Sequence, residues 1–457
     1  MNENVNQVSD NLGEEVGLKR VLKLRYLIFF GLSYLVPTSV FNNYGIVTEL
    51  TKGMMTFAYI ITTAVVILTA YSYGKMARAY PVAGSVYTYV QKTMNPHLGF
   101  IVGWAMVLDY LLCPMISYLY FGLYMNKFFP SVSVAWWIVI CIIVVSAINI
   151  IGIEFAAKVD FVITILTTGF VLLFIILCAK FVMGGGGEGT LIHMKSVLDT
   201  DLASVNALAR GAAILIVGFM GFDAITLVAE ESVNPDKDIP KALILTCLIA
   251  GLLFIVTSYI SQLAWPAAWS SMENPDTGAF ELLGRIKANF MPALFLDVDC
   301  FANVVCAVAS QAAVARMLYA MGRDGMLPKK VFGYVSPRFR TPVLNIIISA
   351  LIGLTAVFYA DNLIGAASLI SFGALIGFTF VNASVIAQFY IKEHNRSGSG
   401  IIKYMLLPLI AMVISVILWF NLSASAKMLG LSWVAIGFIY LAISTNFFRK
   451  LPPELKM

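Results

Sequence analysis

Charge is scarce in this chain. Asp, Glu, Lys and Arg together make up 12% of its 457 residues, about half the roughly 25% of a soluble domain. Histidine is scarcer still: His97, His193 and His394 are the only three, and all fall outside the long apolar runs. A buried acid–base or metal centre therefore lacks its usual raw material. The six cysteines, Cys113, Cys141, Cys178, Cys247, Cys300 and Cys306, lie in or beside apolar runs and form no CxxC pair. They read as small buried hydrophobes, not as a disulfide or metal framework. No GxxxxGK[ST] stretch is present, which speaks against a nucleotide-driven pump. The opening MNENVNQVSDNLGEEVG is polar and mildly acidic. It lacks the basic, apolar and small-residue order of a cleaved signal, so the first apolar run is expected to be an uncleaved anchor. The net charge of +5 is modest and calls for no nucleic-acid partner.

What the chain has in plenty is apolar sequence: 60% of residues, with a mean hydropathy of +0.86. That is the composition of a multi-pass membrane protein. A helix needs about 20 mostly apolar residues to cross a bilayer. Runs of that kind start near Tyr26, Thr56, Gly99, Val134, Val159, Leu208, Leu243, Ala293, Val343, Leu363, Tyr404 and Leu431, which gives twelve expected spans. The chain then divides into an N-terminal tail (1–25), spans one to five (26–183), an outer loop (184–206), spans six to ten (207–392), spans eleven and twelve (403–448) and a C-terminal tail (449–457). With an inside N-terminus, 22 of the 30 Lys and Arg fall on inner loops and tails, Arg78, Arg316 and Arg323 among them. The excess of basic residues on that side places both termini in the cytoplasm. The outer loop contains GGGGEG and reads as a flexible linker.

Two spans carry breaks. Span one contains GLSYLVPTSVFNN, where Pro37 removes a backbone donor. Span six contains GFMGFDA, with two glycines that weaken a helix by about 1 kcal/mol each relative to Ala. Spans one and six are five apart, so two five-span halves would have opposite topology. Inverted repeats with a site at the broken helices are a transporter pattern.

Acids sit at membrane depth beside these breaks. Asp109 lies about midway along span three in GWAMVLDYLLCPM, and Asp223 lies in the span-six break. A charge at mid-bilayer costs at least about 2.5–3.5 kcal/mol and marks a functional candidate. No basic residue is expected at similar depth, so a cationic ligand is one way to satisfy both carboxylates; a protonated acid held by backbone is the other. Tyr110, Trp104, Phe219, Phe222 and Phe372 flank the acids and suit an ammonium group, although Trp104 reads as packing. Asp297 and Asp299 are placed near the outer end of span eight, either in a cation-attracting vestibule or at a wet helix end. Glu230 and Glu231, at the inner end of span six, are expected to form a carboxylate–basic gate with Lys75, Arg78 or Lys241, or to lie in an ordinary solvated loop.

GKMARAYPVAGSVYTYV after span two, GFDAITLVAEESVNPDKDIPKA through span six and ARMLYAMGRDGMLPKKVFGYVSPRFRTPVLN after span eight resemble the amino acid–polyamine–organocation transporters. GLSYLVPTSVF, NPHLGFIVGW, LDYLLCPM and SFGALIGFTFVN are similar to the bacterial putrescine importers of that family. The resemblance implies an all-α membrane protein: a leucine-transporter-like fold of five plus five inverted spans with two extra helices. It implies a secondary transporter, not an enzyme, with no cofactor and no metal. On this resemblance the unwound segment of span one is Pro37, Thr38 and Ser39, the span-three site positions are Asp109 and Tyr110, and the span-six acid is Asp223, with Gly221 and Phe222 beside it. Pro37 replaces a glycine expected where amino-acid members hold a substrate carboxylate. Many proton-coupled relatives have a lysine midway along span five; here Thr164, Thr167 and Thr168 occupy that stretch and no lysine precedes Lys180. Coupling is therefore expected at a carboxylate, Asp223 first and Glu230 second, with Glu231 and Arg78 as further gate candidates. The expected function is import of putrescine or a similar small diamine across a bacterial cytoplasmic membrane by proton symport. The alternative is an amino-acid permease or a diamine/amino-acid exchanger.

Overall fold

The computed structural model describes residues 20–81, 85–275, 278–286, 288–359, 371–422, 424–447 and 449. The N-terminal tail up to residue 19, the start of the tenth expected span at Leu363 and most of the C-terminal tail lie outside them. The described chain is all-α, with a single isolated bridge between Leu22 and Ser232.

Among the described residues, eleven segments are long and apolar enough to cross a membrane: Leu24–Asn42, Met55–Ala79, Pro96–Asn126, Val134–Ile151, Ile153–Met183, Val205–Glu231, Pro235–Ala264, Met291–Arg323, Phe372–Lys392, Gly398–Phe420 and Ala426–Ser444. The shorter apolar helix Val343–Tyr359 occupies the place of the ninth expected span. Spans one to eight are the first eight of these segments in order; the last three take the places of spans ten to twelve. Their starts are set by local chemistry. Span three opens on Asn95, whose side chain accepts from the amides of His97 and Leu98 at 2.8 and 3.3 Å, with Pro96 as the first helical residue. Span seven opens on Pro235, with Asp236 and Asp238 in its first turn, where acids complement the helix dipole.

Both expected breaks are present. Span one is helical from Leu24 to Leu35, turns at Val36 (φ 51°) and restarts at Ser39. Ser39 is thus the first residue of the resumed helix, and the turn proper is 36–38. Span six is α-helical from Val205 to Leu215, tightens to a 3-10 turn over Ile216–Phe219, extends at Met220 and reverses at Gly221 (φ 94°). It then continues as a 3-10 helix, Phe222–Glu231. Short 3-10 runs are the tighter, poorer relative of the α-helix, and they recur at functional hinges.

One face of the bundle gathers the start of span one and the ends of spans six, eight and ten. The amides of Val21 and Leu22 donate to Glu231 O at 2.9 Å, and Val233 N–H donates to Leu22 O at 2.9 Å. Arg323 pairs with Glu230 across spans eight and six, and Lys392 Nζ donates to Lys92 O at 3.1 Å. Tyr440, near the end of the last span, donates to Met326 O on this same face. Both ends of the spanning bundle therefore lie together. The loop 184–206 is docked rather than loose. Glu188 N–H donates to Leu263 O at 2.9 Å, and Tyr259 Oη donates to Leu191 O at 3.0 Å. Gly187 serves close approach to the end of span seven, where a Cβ would run into Leu263 O and Ala264 O.

Candidate functional site

The two breaks interlock. Gly221 has a left-handed backbone and no side chain, and the Tyr34 ring fills the space beside it. A Cβ added at Gly221 would sit 1.9 Å from Tyr34 Cδ1. Tyr34 is in the last turn of span one before its break, so each break holds the other in place. Ser39, just past the turn in span one, faces Gly218 of span six: a Cβ there would lie 3.3 Å from Ser39 Oγ. The Ser39 hydroxyl has no hydrogen-bond partner among the described residues. The space that glycine leaves open at 221 is occupied by the Tyr34 ring.

Asp223 is 3% exposed, and its Oδ2 accepts from two phenols: Tyr73 of span two at 3.1 Å and Tyr110 of span three in a very close contact. The sequence offered no basic partner for Asp223, and none is found among the described residues; tyrosine hydroxyls stand in that place. Tyr73 was not foreseen. Asp109 is 6% exposed, one residue before Tyr110 and on a different side of the helix. No described residue forms a hydrogen bond or ion pair with it. Gly373 of span ten crosses directly over this stretch: a Cβ there would lie 2.4 Å from Ala105 O and 3.1 Å from Asp109 Cβ. Asp109 and Asp223 lie within electrostatic range of one another, and the buried Tyr34 ring lies near Asp109 and Tyr110. Phe222 packs edge-on to Tyr73 at 5.5 Å and against Phe378 at 5.4 Å, closing the apolar side. Trp104 is packing, as read: it stacks on Trp433 at 4.8 Å. Phe219 packs edge-on to Phe254 at 5.2 Å and Phe372 against Trp419 at 5.5 Å.

Asp299 departs from the sequence reading. It is neither in a vestibule nor at a wet end but fully buried, while Asp297, two residues earlier, is exposed. The Thr38 hydroxyl donates to Asp299 Oδ1 in a very close contact, and Asn303 Nδ2 donates to Oδ2 at 3.2 Å. The break in span one thus presents a polar side chain to a carboxylate of span eight.

Glu230 and Glu231 do form ion pairs, but with partners the sequence placed in a loop. Arg316 lies within the span-eight helix, 1% exposed, with Nε in close contact with Glu231 Oε1 and Nη2 3.2 Å from Oε2. Arg323 Nη1 lies 2.6 Å from Glu230 Oε1, and its Nε lies 3.3 Å from Asp324 Oδ1. Tyr87 Oη donates to Asp324 Oδ2 at 3.1 Å. Burial pushes the Asp324 carboxyl up, against the opposing pull of Arg323 and the Tyr87 hydroxyl. Arg78 and Lys241 are exposed and pair with no described carboxylate, and Lys75 lies over the Tyr71 and Tyr404 rings. Together with the Leu22–Ser232 bridge, these pairs seal one end of spans six and eight. Replacing Arg316 alone should be severe. Arg316→Met strands Glu231 as a buried charge, at a cost of about 3–5 kcal/mol. The purified variant is expected to melt well below the wild type, and Arg316→Met with Glu231→Leu to recover much of that loss in a thermal-unfolding assay. Equal melting of single variant and wild type would contradict a structural pair.

Comparison with known proteins agrees with this architecture. A sequence model of the amino acid permease family matches residues 27–448. The chain is 38% identical over 440 residues to the low-affinity putrescine importer PlaP of Escherichia coli K12, covering 96% of each chain. It is 24% identical over 461 residues to the branched-chain amino acid permease BcaP of Bacillus subtilis, covering 93% of each. It is 25% identical over 452 residues to the methylthioribose transporter of the same organism, covering 94% of this chain and 92% of that one. These relatives are transporters. A multi-pass helical bundle with two interlocked broken spans, matched along nearly its full length, belongs to the amino acid permease family.

Proposed function

We propose that this protein imports a small diamine, putrescine or a close homologue, across a bacterial cytoplasmic membrane, with protons entering alongside it. The observation that carries this reading is the pair Asp109 and Asp223: buried carboxylates between the broken spans, without a basic partner among the described residues. A ligand with an ammonium group at each end satisfies both. Tyr34, Tyr110 and Phe222 add aromatic surface, worth roughly 0.5–2 kcal/mol to a desolvated cation. Both acids are shut off from solvent, so the bundle must open on one side and then the other. The ion pairs of Arg316 and Arg323 are the contacts that release on the side where the chain begins. The basic excess on that side supports a cytoplasmic location for both ends.

The second reading, an amino-acid permease or a diamine/amino-acid exchanger, draws on relatives such as BcaP. It needs an anion site at the span-one break. Thr38 there is committed to Asp299, which sets a carboxylate beside the place a substrate carboxylate would occupy. Uptake of radiolabelled putrescine into proteoliposomes tests the choice, with unlabelled cadaverine, spermidine, ornithine, arginine and leucine as competitors. Cadaverine is expected to compete best and leucine not at all. Stronger competition by leucine or arginine than by cadaverine would favour the second reading.

A further inference from the structure

We propose that Asp160, on span five, is the residue that carries the coupled proton: it loads from one side of the membrane and unloads to the other. This rests on the import reading above and deepens it by naming the coupling group.

Span five begins at Ile153, earlier than the apolar run suggested, which places Asp160 about 10 Å into the helix. Asp160 is 1% exposed. Among the described residues neither Oδ1 nor Oδ2 has a hydrogen-bond partner within bonding geometry, and of the described carboxylates it alone has both oxygens sealed and unpartnered. One turn on, the Thr164 hydroxyl is also buried and unpartnered, on the same helix face. Ser33 of span one lies beside Asp160, but its hydroxyl already donates to Phe30 O at 2.9 Å. By contrast, Asp223 accepts from two phenols and Glu230 is paired with Arg323 at 2.6 Å. The earlier coupling candidates have their partners; Asp160 has no hydrogen-bonded or charged partner among the described residues.

Among the described residues the surroundings offer no counter-charge. On its own helix, Lys158 and Glu154 pair with each other at 3.1 Å and are exposed. On span one, Arg25 stacks over the Tyr26 ring at 4.8 Å. Span eight presents Cys306, span four carries Cys141 and span seven Cys247; the charged residues of span seven are in its first turns, from Asp236 to Lys241. An ionised carboxylate with no donor and no cation in a dry interior is not sustainable. The adjoining gap, lined by Ser33, Pro37, Thr164, Thr167, Ala302 and Val305, is too narrow for a water molecule. The neutral acid is the form that this conformation accommodates. Once spans one and eight part and water enters, the ionised form is accommodated too. A site whose proton affinity follows the conformation is what coupling requires.

The same gap runs to Pro37, at the break that forms the substrate site. Cys306 lies within range of Asp160 on one side and meets the Cys113 thiol on the other, and Cys113 is next to Asp109. Span one and span eight therefore touch both the cation site and Asp160. In the loading step a hydronium ion gives its proton to an Asp160 carboxylate oxygen, leaving water and the neutral acid. In the unloading step the acid returns the proton to water on the other side. No electron changes hands.

The test is Asp160→Asn in proteoliposomes, read two ways: putrescine/putrescine exchange, and accumulation driven by an imposed inward proton gradient. Exchange within a factor of about three of wild type, together with loss of gradient-driven accumulation, is expected, and Asp160→Glu should restore accumulation with a displaced pH profile. Wild-type accumulation by Asp160→Asn overturns the assignment while leaving the import reading intact. Loss of exchange in both Asp160→Asn and Asp160→Glu makes the residue structural and also overturns it. A wild type that responds to a sodium gradient but not to a proton gradient overturns the proton assignment. A wild type that transports no diamine at all overturns the import reading itself.

Discussion

Asp109→Asn should cut putrescine uptake at least about tenfold at concentrations below wild-type half-saturation, while leaving the protein folded. Asparagine matches aspartate in shape, and the carboxylate forms no hydrogen bond or ion pair with a described residue, so little of the fold depends on its charge. What is lost is a desolvated contact with an ammonium group. Removing one partner of such a pair costs about 2–5 kcal/mol, which is roughly a 30- to 4,000-fold loss of affinity. The measurement is the concentration dependence of labelled putrescine uptake, alongside thermal unfolding of the purified variant. Wild-type affinity in a folded variant would remove Asp109 from the site.

Gly221→Leu should have the next largest effect, on stability and transport together. Leucine at φ 94° is strained by roughly 1–2 kcal/mol. Its Cβ would also lie on the Tyr34 ring, 1.9 Å from the nearest carbon. Neither the break in span six nor that in span one can then keep its shape, and uptake is expected to fall below detection with a markedly lowered melting temperature. A double-mutant cycle separates the two causes. Gly221→Ala combined with Tyr34→Ala should cost clearly less than the sum of the single changes, because neighbours that share a contact are not additive. Additive costs would mean that the ring and the glycine do not hold one another.

These two positions show what was legible in the sequence. The spans were, because about 20 apolar residues in a row have few other uses, and so were the breaks, because Pro37 and the glycines of GFMGFDA are unfavourable in a plain helix. Asp109 and Asp223 stood out by charge and depth, Tyr110 as an aromatic neighbour, and Thr38 through the family resemblance. Tyr34, Tyr73 and Asp299 did not, because partners brought together from four different spans leave no spacing to read. Arg316 was misplaced for a simpler reason: span eight runs to Arg323, 33 residues, well past its apolar stretch. Asp160 was missed in the mirror-image way, since the apolar run of span five begins at Val159 while the helix begins at Ile153. The available signal was Asp160 four residues before Thr164, a polar pair on one helix face.

The central claim is that the site reads two ammonium groups, one at each end of the ligand. The most direct test is calorimetric titration of the purified protein with putrescine and with butylamine, which has the same four-carbon chain and one amine. Two charge contacts predict that butylamine binds at least about thirtyfold more weakly, matching a loss of about 2 kcal/mol or more. Equal affinities would contradict a diamine site between Asp109 and Asp223.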